Sequence, residues 1–112
     1  MSANRHRGEV SACFDGKPFR LCLTLGALAE LEDAFAAEDL GALVTRFGSG
    51  RISASDIIRI LAAGLRGAGN AVSDDEVKAM RCDDGAAGFA RVVAELLTAT
   101  FGAAREGPRR DP

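Results

Sequence analysis

The sequence predicts an α+β fold, in which an N-terminal β-hairpin is followed by a mostly helical domain of about five helices. Two short alternating runs meet at Asp15-Gly16, a dipeptide suited to the positive φ angles of a tight hairpin turn. Further along, apolar residues recur at three- and four-residue steps between glycine breaks and Ser, Thr or Asp caps. The 112 residues, 47% hydrophobic and 27% charged, are enough for one domain and too few for two independent cores.

We place that single α+β domain at residues 9–102. The preceding arm, residues 1–8, is polar and basic, and the tail, residues 103–112, has no apolar residue larger than alanine. Neither segment has much apolar surface to bury, so we expect a flexible N-terminal arm and a disordered C-terminal tail.

The hairpin combines residues 9–14 with residues 17–24. A two-residue loop gives one register, which puts apolar residues on a common face and pairs Val10 with Leu21, Ala12 with Phe19 and Phe14 with Lys17. Pro18 cannot donate a ladder hydrogen bond, which marks the second strand as an edge.

Two helices are predicted next. Thr24 can cap the first, which ends near Ala37, and Asp39 can cap a shorter second helix stopped at Gly48-Ser49-Gly50. Their apolar stripes are Leu25, Leu28, Leu31 and Phe35 in the first helix, and Leu40, Leu43, Val44 and Phe47 in the second.

Three more helices complete the domain. Ser53 with Asp56 resembles a capping arrangement before a third helix that is apolar around much of its circumference and should be central. Ser73 with Glu76 forms a capping box that begins a short fourth helix. The last helix has its apolar stripe at Phe89, Val92, Val93, Leu96, Leu97, Thr100 and Phe101, and Gly102 ends it.

No residue pattern indicates catalysis, a cofactor or a metal. The only histidine, His6, lies in the polar arm, which cannot hold a catalytic geometry. Cys13, Cys22 and Cys82 lack the paired spacing of a zinc or redox site and are interpreted as small hydrophobes. We therefore predict a protein that is not an enzyme.

The charge balance disfavours nucleic acid and membrane as partners. The formal charge is −2, no Trp or Tyr is present, and no apolar run approaches the roughly 20 residues of a membrane span. No signal-peptide pattern follows the arm, so we predict a cytoplasmic protein.

Partner contacts are expected at two places. An isolated hairpin is marginal in water and exposes strand edges, which makes Phe19 and Leu21 candidates for edge pairing with another chain or a second copy. The glycine-rich turn between the second and third helices lacks the spacing of a phosphate-binding loop, and its candidate residues are Arg46, Phe47, Gly48, Gly50 and Arg51.

Several segments together resemble a known family. They are residues 4–10 (NRHRGEV), 23–32 (LTLGALAELE), 46–57 (RFGSGRISASDI), 61–67 (LAAGLRG), 72–77 (VSDDEV) and 98–102 (TATFG). They are similar to the small gene transfer agent proteins also called phage tail tube proteins, which are grouped with phage tail assembly chaperones. The similarity covers nearly the whole chain except the tail, and none of its motifs is catalytic.

The resemblance implies a non-enzymatic tail assembly chaperone of a phage-like gene transfer agent. Such a chaperone would bind the helical tape-measure protein, keep it soluble and help recruit tail tube subunits. One alternative is a stoichiometric tail tube subunit that stays in the particle, although tube subunits generally need more β-sheet than one hairpin. Another is a small nucleic-acid-binding regulator, which is weaker because no helix carries clustered Arg and Lys. Homo-oligomerisation remains open.

Overall fold

The computed structural model describes residues 8–35, 41–42, 45–46, 49 and 51–101. Within them the fold is α+β, as predicted, with four bounded helices rather than about five. The elements are β1 Glu9–Phe14, β2 Lys17–Cys22, α1 Leu25–Ala34, α2 Ala54–Gly67, α3 Asp74–Lys78 and α4 Gly85–Phe101. The predicted second helix falls on residues 39–47, most of which lie outside the described residues, as do the predicted tail and all of the predicted arm except Gly8.

The hairpin has the predicted register. Asp15 and Gly16 have φ angles of 55° and 74°, which is the backbone that a two-residue loop of this hand requires. The confirmed pairs are Val10 with Leu21, Ala12 with Phe19 and Phe14 with Lys17. One face of the hairpin therefore packs on the core, where Val10, Phe14 and Leu21 are buried.

Helix α2 is central, as its apolar sequence predicts. All residues from 60 to 65 are buried. A Cβ atom at Gly64 would lie 2.7 Å from Cδ2 of Leu96 and 3.4 Å from Cβ of Leu21. The absence of a side chain at Gly64 therefore lets α2 approach both α4 and the hairpin closely.

Three of the predicted helix caps are present, and the fourth, Asp39, lies outside the described residues. Oγ1 of Thr24 accepts a hydrogen bond from the Ala27 N–H at 3.1 Å. Reciprocal capping boxes begin the next two helices, one formed by Ser53 and Asp56 and the other by Ser73 and Glu76. Helix α1 ends at Ala34, slightly earlier than expected, with Phe35 as its C-cap.

Candidate partner-binding surfaces

An apolar groove of about 190 Å³ opens between three helices. The first half of α2, the last turn of α3 and the first turns of α4 provide its walls. The lining residues are Ala54, Ile57, Ile58, Leu61, Val77, Lys78, Met80, Ala86 and Phe89. We refer to this surface as the helical groove.

The groove walls are held by the core beneath them. Leu61 and Val77 are buried, whereas Ile57 and Met80 are only partly covered by the rest of the chain. Phe89 stacks on Phe14 of the hairpin, with ring centroids 5.5 Å apart and an angle of 22° between the ring planes. The groove is therefore an apolar surface with a fixed floor, open to solvent on one side.

Lys78 is the charged residue of the groove lining. Its Nζ lies 3.4 Å from Oδ1 of Asp75, and the two side chains are 60% and 89% exposed. An ion pair this exposed contributes little to stability, because water screens it and both side chains lose freedom. The Lys78 ammonium can therefore leave Asp75 for another carboxylate at a small cost in free energy.

The start of α2 is fixed by a buried carboxylate, Asp56. Its Oδ2 accepts hydrogen bonds from the Ser53 N–H and from Nη1 of Arg46, each at 2.9 Å. Burial alone would raise the pKa of Asp56, but the bonds from Ser53 and Arg46 outweigh it, so the pKa is lowered from its ordinary value. This charged cap positions the α2 wall of the groove.

Arg66 connects three helices from the opposite end of α2. Its guanidinium contacts Oε1 of Glu30 at 2.7 Å, Oδ1 of Asp74 at 3.2 Å and the Val72 carbonyl at 2.9 Å. The hydrogen bond to Glu30 is the main reason that the pKa of Arg66 is raised. Arg66 thus fixes the loop that leads into α3, the second wall of the groove.

A family model described as "Phage tail tube protein, GTA-gp10" matches residues 7–103. The chain belongs to this family. The description is of a structural protein of a gene transfer agent tail and not of an enzyme. Comparisons with curated proteins and with solved structures found no match.

The outer edge of β2 in this tail protein is covered. The register directs the backbone groups of Pro18, Arg20 and Cys22 away from β1. Pro18 has no N–H, and the Arg20 carbonyl accepts a hydrogen bond from Nδ2 of Asn70 at 2.9 Å. Gly67 packs so tightly that a Cβ there would overlap the Cys22 carbonyl oxygen. Strand addition at β2 would have to displace these contacts.

The register directs the backbone groups of Glu9, Ser11 and Cys13 to the outer edge of β1. The Asp15 N–H donates to the Arg81 carbonyl at 2.8 Å, and the Arg81 N–H donates to Oδ1 of Asp15 at 2.9 Å, so the turn end is covered. Ser11 and Cys13 on the same edge are exposed. Of the residues proposed for edge contacts, Phe19 is half-buried on the core face of β2, and the Leu21 side chain is fully buried.

The glycine-rich turn is only partly described. Phe47, Gly48 and Gly50 lie outside the described residues. Nη1 of Arg46 donates to the Arg51 carbonyl at 3.3 Å as well as to Asp56. The guanidinium therefore stabilises the start of α2. Arg51 itself is exposed.

The helical groove is not evident from the sequence. Its residues belong to three separate segments, and only the relative placement of those helices makes them neighbours. The sequence contains one indication of this surface. Ile57 and Ile58 are adjacent, so they cannot both lie at the centre of one narrow apolar stripe of α2.

Other kinds of site receive no support from the part of the chain that the structure describes. No group of His, Cys, Asp and Glu there could hold a metal ion, and no helix there is long and apolar enough to cross a membrane. No disulfide joins Cys13, Cys22 and Cys82, all of which the structure describes.

Proposed function

We propose that this tail protein is a non-enzymatic assembly chaperone that binds the tape-measure protein and aids tail tube assembly, acting in the cytoplasm before the particle is complete. The observation that carries the proposal is the helical groove, an apolar surface left open on an otherwise well-capped helical domain. Open apolar grooves on soluble domains are typical of protein docking sites.

The mechanism is reversible coverage of apolar helix surface. A helix of the tape-measure protein would place its apolar face in the helical groove, where Ile57, Met80 and Phe89 are already partly covered by the chaperone. Binding shifts the equilibrium away from aggregation by mass action, so no covalent step is needed. Release would follow when tube subunits compete for the same helix surface.

A structural tail tube subunit is the second candidate, and the family's own description favours it. A tube ring needs extended sheet that continues from one subunit to the next. Within the described residues the sheet has two strands, and the outer edge of β2 is covered. These features support the chaperone over the subunit.

The contacts inferred at the hairpin and at the glycine-rich turn remain proposals. Secondary contacts to tail proteins or to a second copy are compatible with the exposure of Ser11 and Cys13 on β1 and of Arg51. We assign the main contact to the helical groove because it offers several large apolar side chains on one surface.

The test is co-expression with the tape-measure protein of the same particle. Met80→Asp places a carboxylate in the groove, and we expect it to abolish co-purification and return the tape-measure protein to the insoluble fraction. Leu25→Asp is the matched control, because Leu25 is 83% exposed on α1 and lies outside the groove lining. We expect Leu25→Asp to behave as the wild type.

Circular dichroism melts of both variants separate lost binding from lost folding. Solubilisation that survives in a folded Met80→Asp variant would contradict a role for the groove. No solubilisation by the wild-type chain would contradict the chaperone itself.

A further inference from the structure

We propose that the helical groove takes an amphipathic helix that presents one bulky apolar side chain and, one turn away, an Asp or Glu that pairs with Lys78. This inference rests on the proposed function and specifies the chemistry of the partner at that site. Neither the family description nor any motif in the sequence assigns Lys78 a role.

The size of the groove indicates the kind of occupant. Pockets for small-molecule ligands are roughly 300–1,000 Å³, whereas an apolar cavity of about 150 Å³ holds a single benzene ring. The 190 Å³ of this groove therefore suits one side chain such as Leu, Met or Phe, inserted from a larger surface. A protein segment supplies such a side chain together with a scaffold that covers the rim.

The lining indicates the chemistry of that segment. The side chains of the floor and walls, including Ile57, Leu61 and Phe89, are apolar and would leave most polar groups of an occupant unsatisfied. Lys78 belongs to the lining, and its side chain is 60% exposed. A lysine in such a position can lay its aliphatic stem on apolar surface while its ammonium stays in water at the mouth. A partner carboxylate at the mouth would meet this ammonium without being buried.

Helical spacing lets one partner satisfy both requirements. On a helix, residues three or four positions apart lie about 5–6 Å from each other on one face. An apolar residue in the groove and an acid at that spacing would place the acid beside the mouth. The present Asp75 contact at 3.4 Å is exposed and weak, so the partner acid can replace it.

The experiment uses the purified full chain and two synthetic peptides. Both are fluorescein-labelled, 20-residue amphipathic helices with leucines at helical spacing, and they differ only in Glu or Lys one turn from the central leucine. Fluorescence anisotropy gives the Kd of each. We expect the Glu peptide to bind about two- to five-fold more tightly than the Lys peptide, with the difference shrinking as salt is added.

Variants of the lysine make the test specific. Lys78→Glu should reverse the preference, and Lys78→Gln, which adds no repulsion within acidic α3, should abolish it. Lys17→Glu is the matched control, since Lys17 is the only other lysine and is exposed on the hairpin. We expect Lys17→Glu to keep the wild-type preference.

Three results would overturn the inference. One is equal affinity of both peptides for the wild-type chain. Another is a preference that Lys78→Gln leaves intact. The third is a wild-type dimer in sedimentation equilibrium that Met80→Asp dissociates, because a second copy would then occupy the groove.

Failure of this inference and failure of the proposed function are distinguishable. Tape-measure solubilisation that Met80→Asp abolishes and Lys78→Glu leaves intact would retain the chaperone and reject the acid pairing. A peptide preference that Lys78→Glu reverses, without tape-measure solubilisation, would retain the recognition chemistry and reject the chaperone.

Discussion

Asp56 is the buried charged residue in the described part of the chain, with 7% of its surface exposed. Its carboxylate caps α2 and also holds Arg46, a residue that the sequence suggested as a partner contact. The sequence predicted the cap because Ser53 and Asp56 have capping-box spacing. It did not reveal the ion pair, because Arg46 and Asp56 are ten positions apart and meet only in the fold.

Asp56→Asn should lower the free energy of unfolding by about 1–3 kcal/mol, since it weakens the capping box and removes the carboxylate that pairs with Arg46. The measurement is urea denaturation near pH 6. Asp33→Asn, which removes an exposed carboxylate at the end of α1, is the control and should change stability by less than about 0.5 kcal/mol.

The effect of Asp56 should depend on pH in one direction. Its pKa is lowered in the folded chain, so its contribution is present above the ordinary value of 3.8 and is lost as the pH falls through the lower folded-state pKa. The difference between wild type and Asp56→Asn should therefore shrink below about pH 4. A difference that grows on acidification would contradict the assigned hydrogen bonds.

At the scale of elements, features set by neighbouring residues could be predicted from the sequence, whereas contacts between distant elements could not. The Asp15-Gly16 turn, the alternation around it and the three N-caps depend on residues within a few positions, and all are present in the structure. The cover over β2 depends on Asn70 and Gly67, some 50 positions away from the strand. The spacing of apolar residues along the sequence does not reveal a contact between residues so far apart in the chain.

The contact between α2 and β2 gives a prediction at this scale. Gly67→Ala should destabilise the chain by about 1–3 kcal/mol, because the new Cβ would overlap a backbone carbonyl that no rotamer change can move. Gly26→Ala on α1 is the matched control. The nearest atom to its new Cβ is Oγ1 of Thr24 at 3.9 Å, so the helix gains propensity without a clash.

Thermal denaturation of the two glycine variants provides the measurement. We expect a lower Tm for Gly67→Ala and an unchanged or higher Tm for Gly26→Ala. Equal melting of Gly67→Ala and the wild type would show that α2 does not pack against the Cys22 carbonyl as described.

At the scale of the whole molecule, the family match and the groove provide different kinds of information. The match over residues 7–103 gives the setting, a phage-like tail. The helical groove is the basis of the mode of action that we propose within that setting, since its apolar lining lies across three helices that the core and the caps hold in place. The sequence could predict the helices that form the groove but not their relative positions.

The most direct test of the chaperone is the amount of this chain in finished particles. Quantitative mass spectrometry of purified gene transfer agent particles, with the tape-measure and tube proteins as internal references, measures it. We expect the chain to be absent or far below the tube protein in copy number, and to co-purify with the tape-measure protein in cells arrested before tail completion. A constant ratio to the tube protein in finished particles would contradict the chaperone and identify a structural subunit.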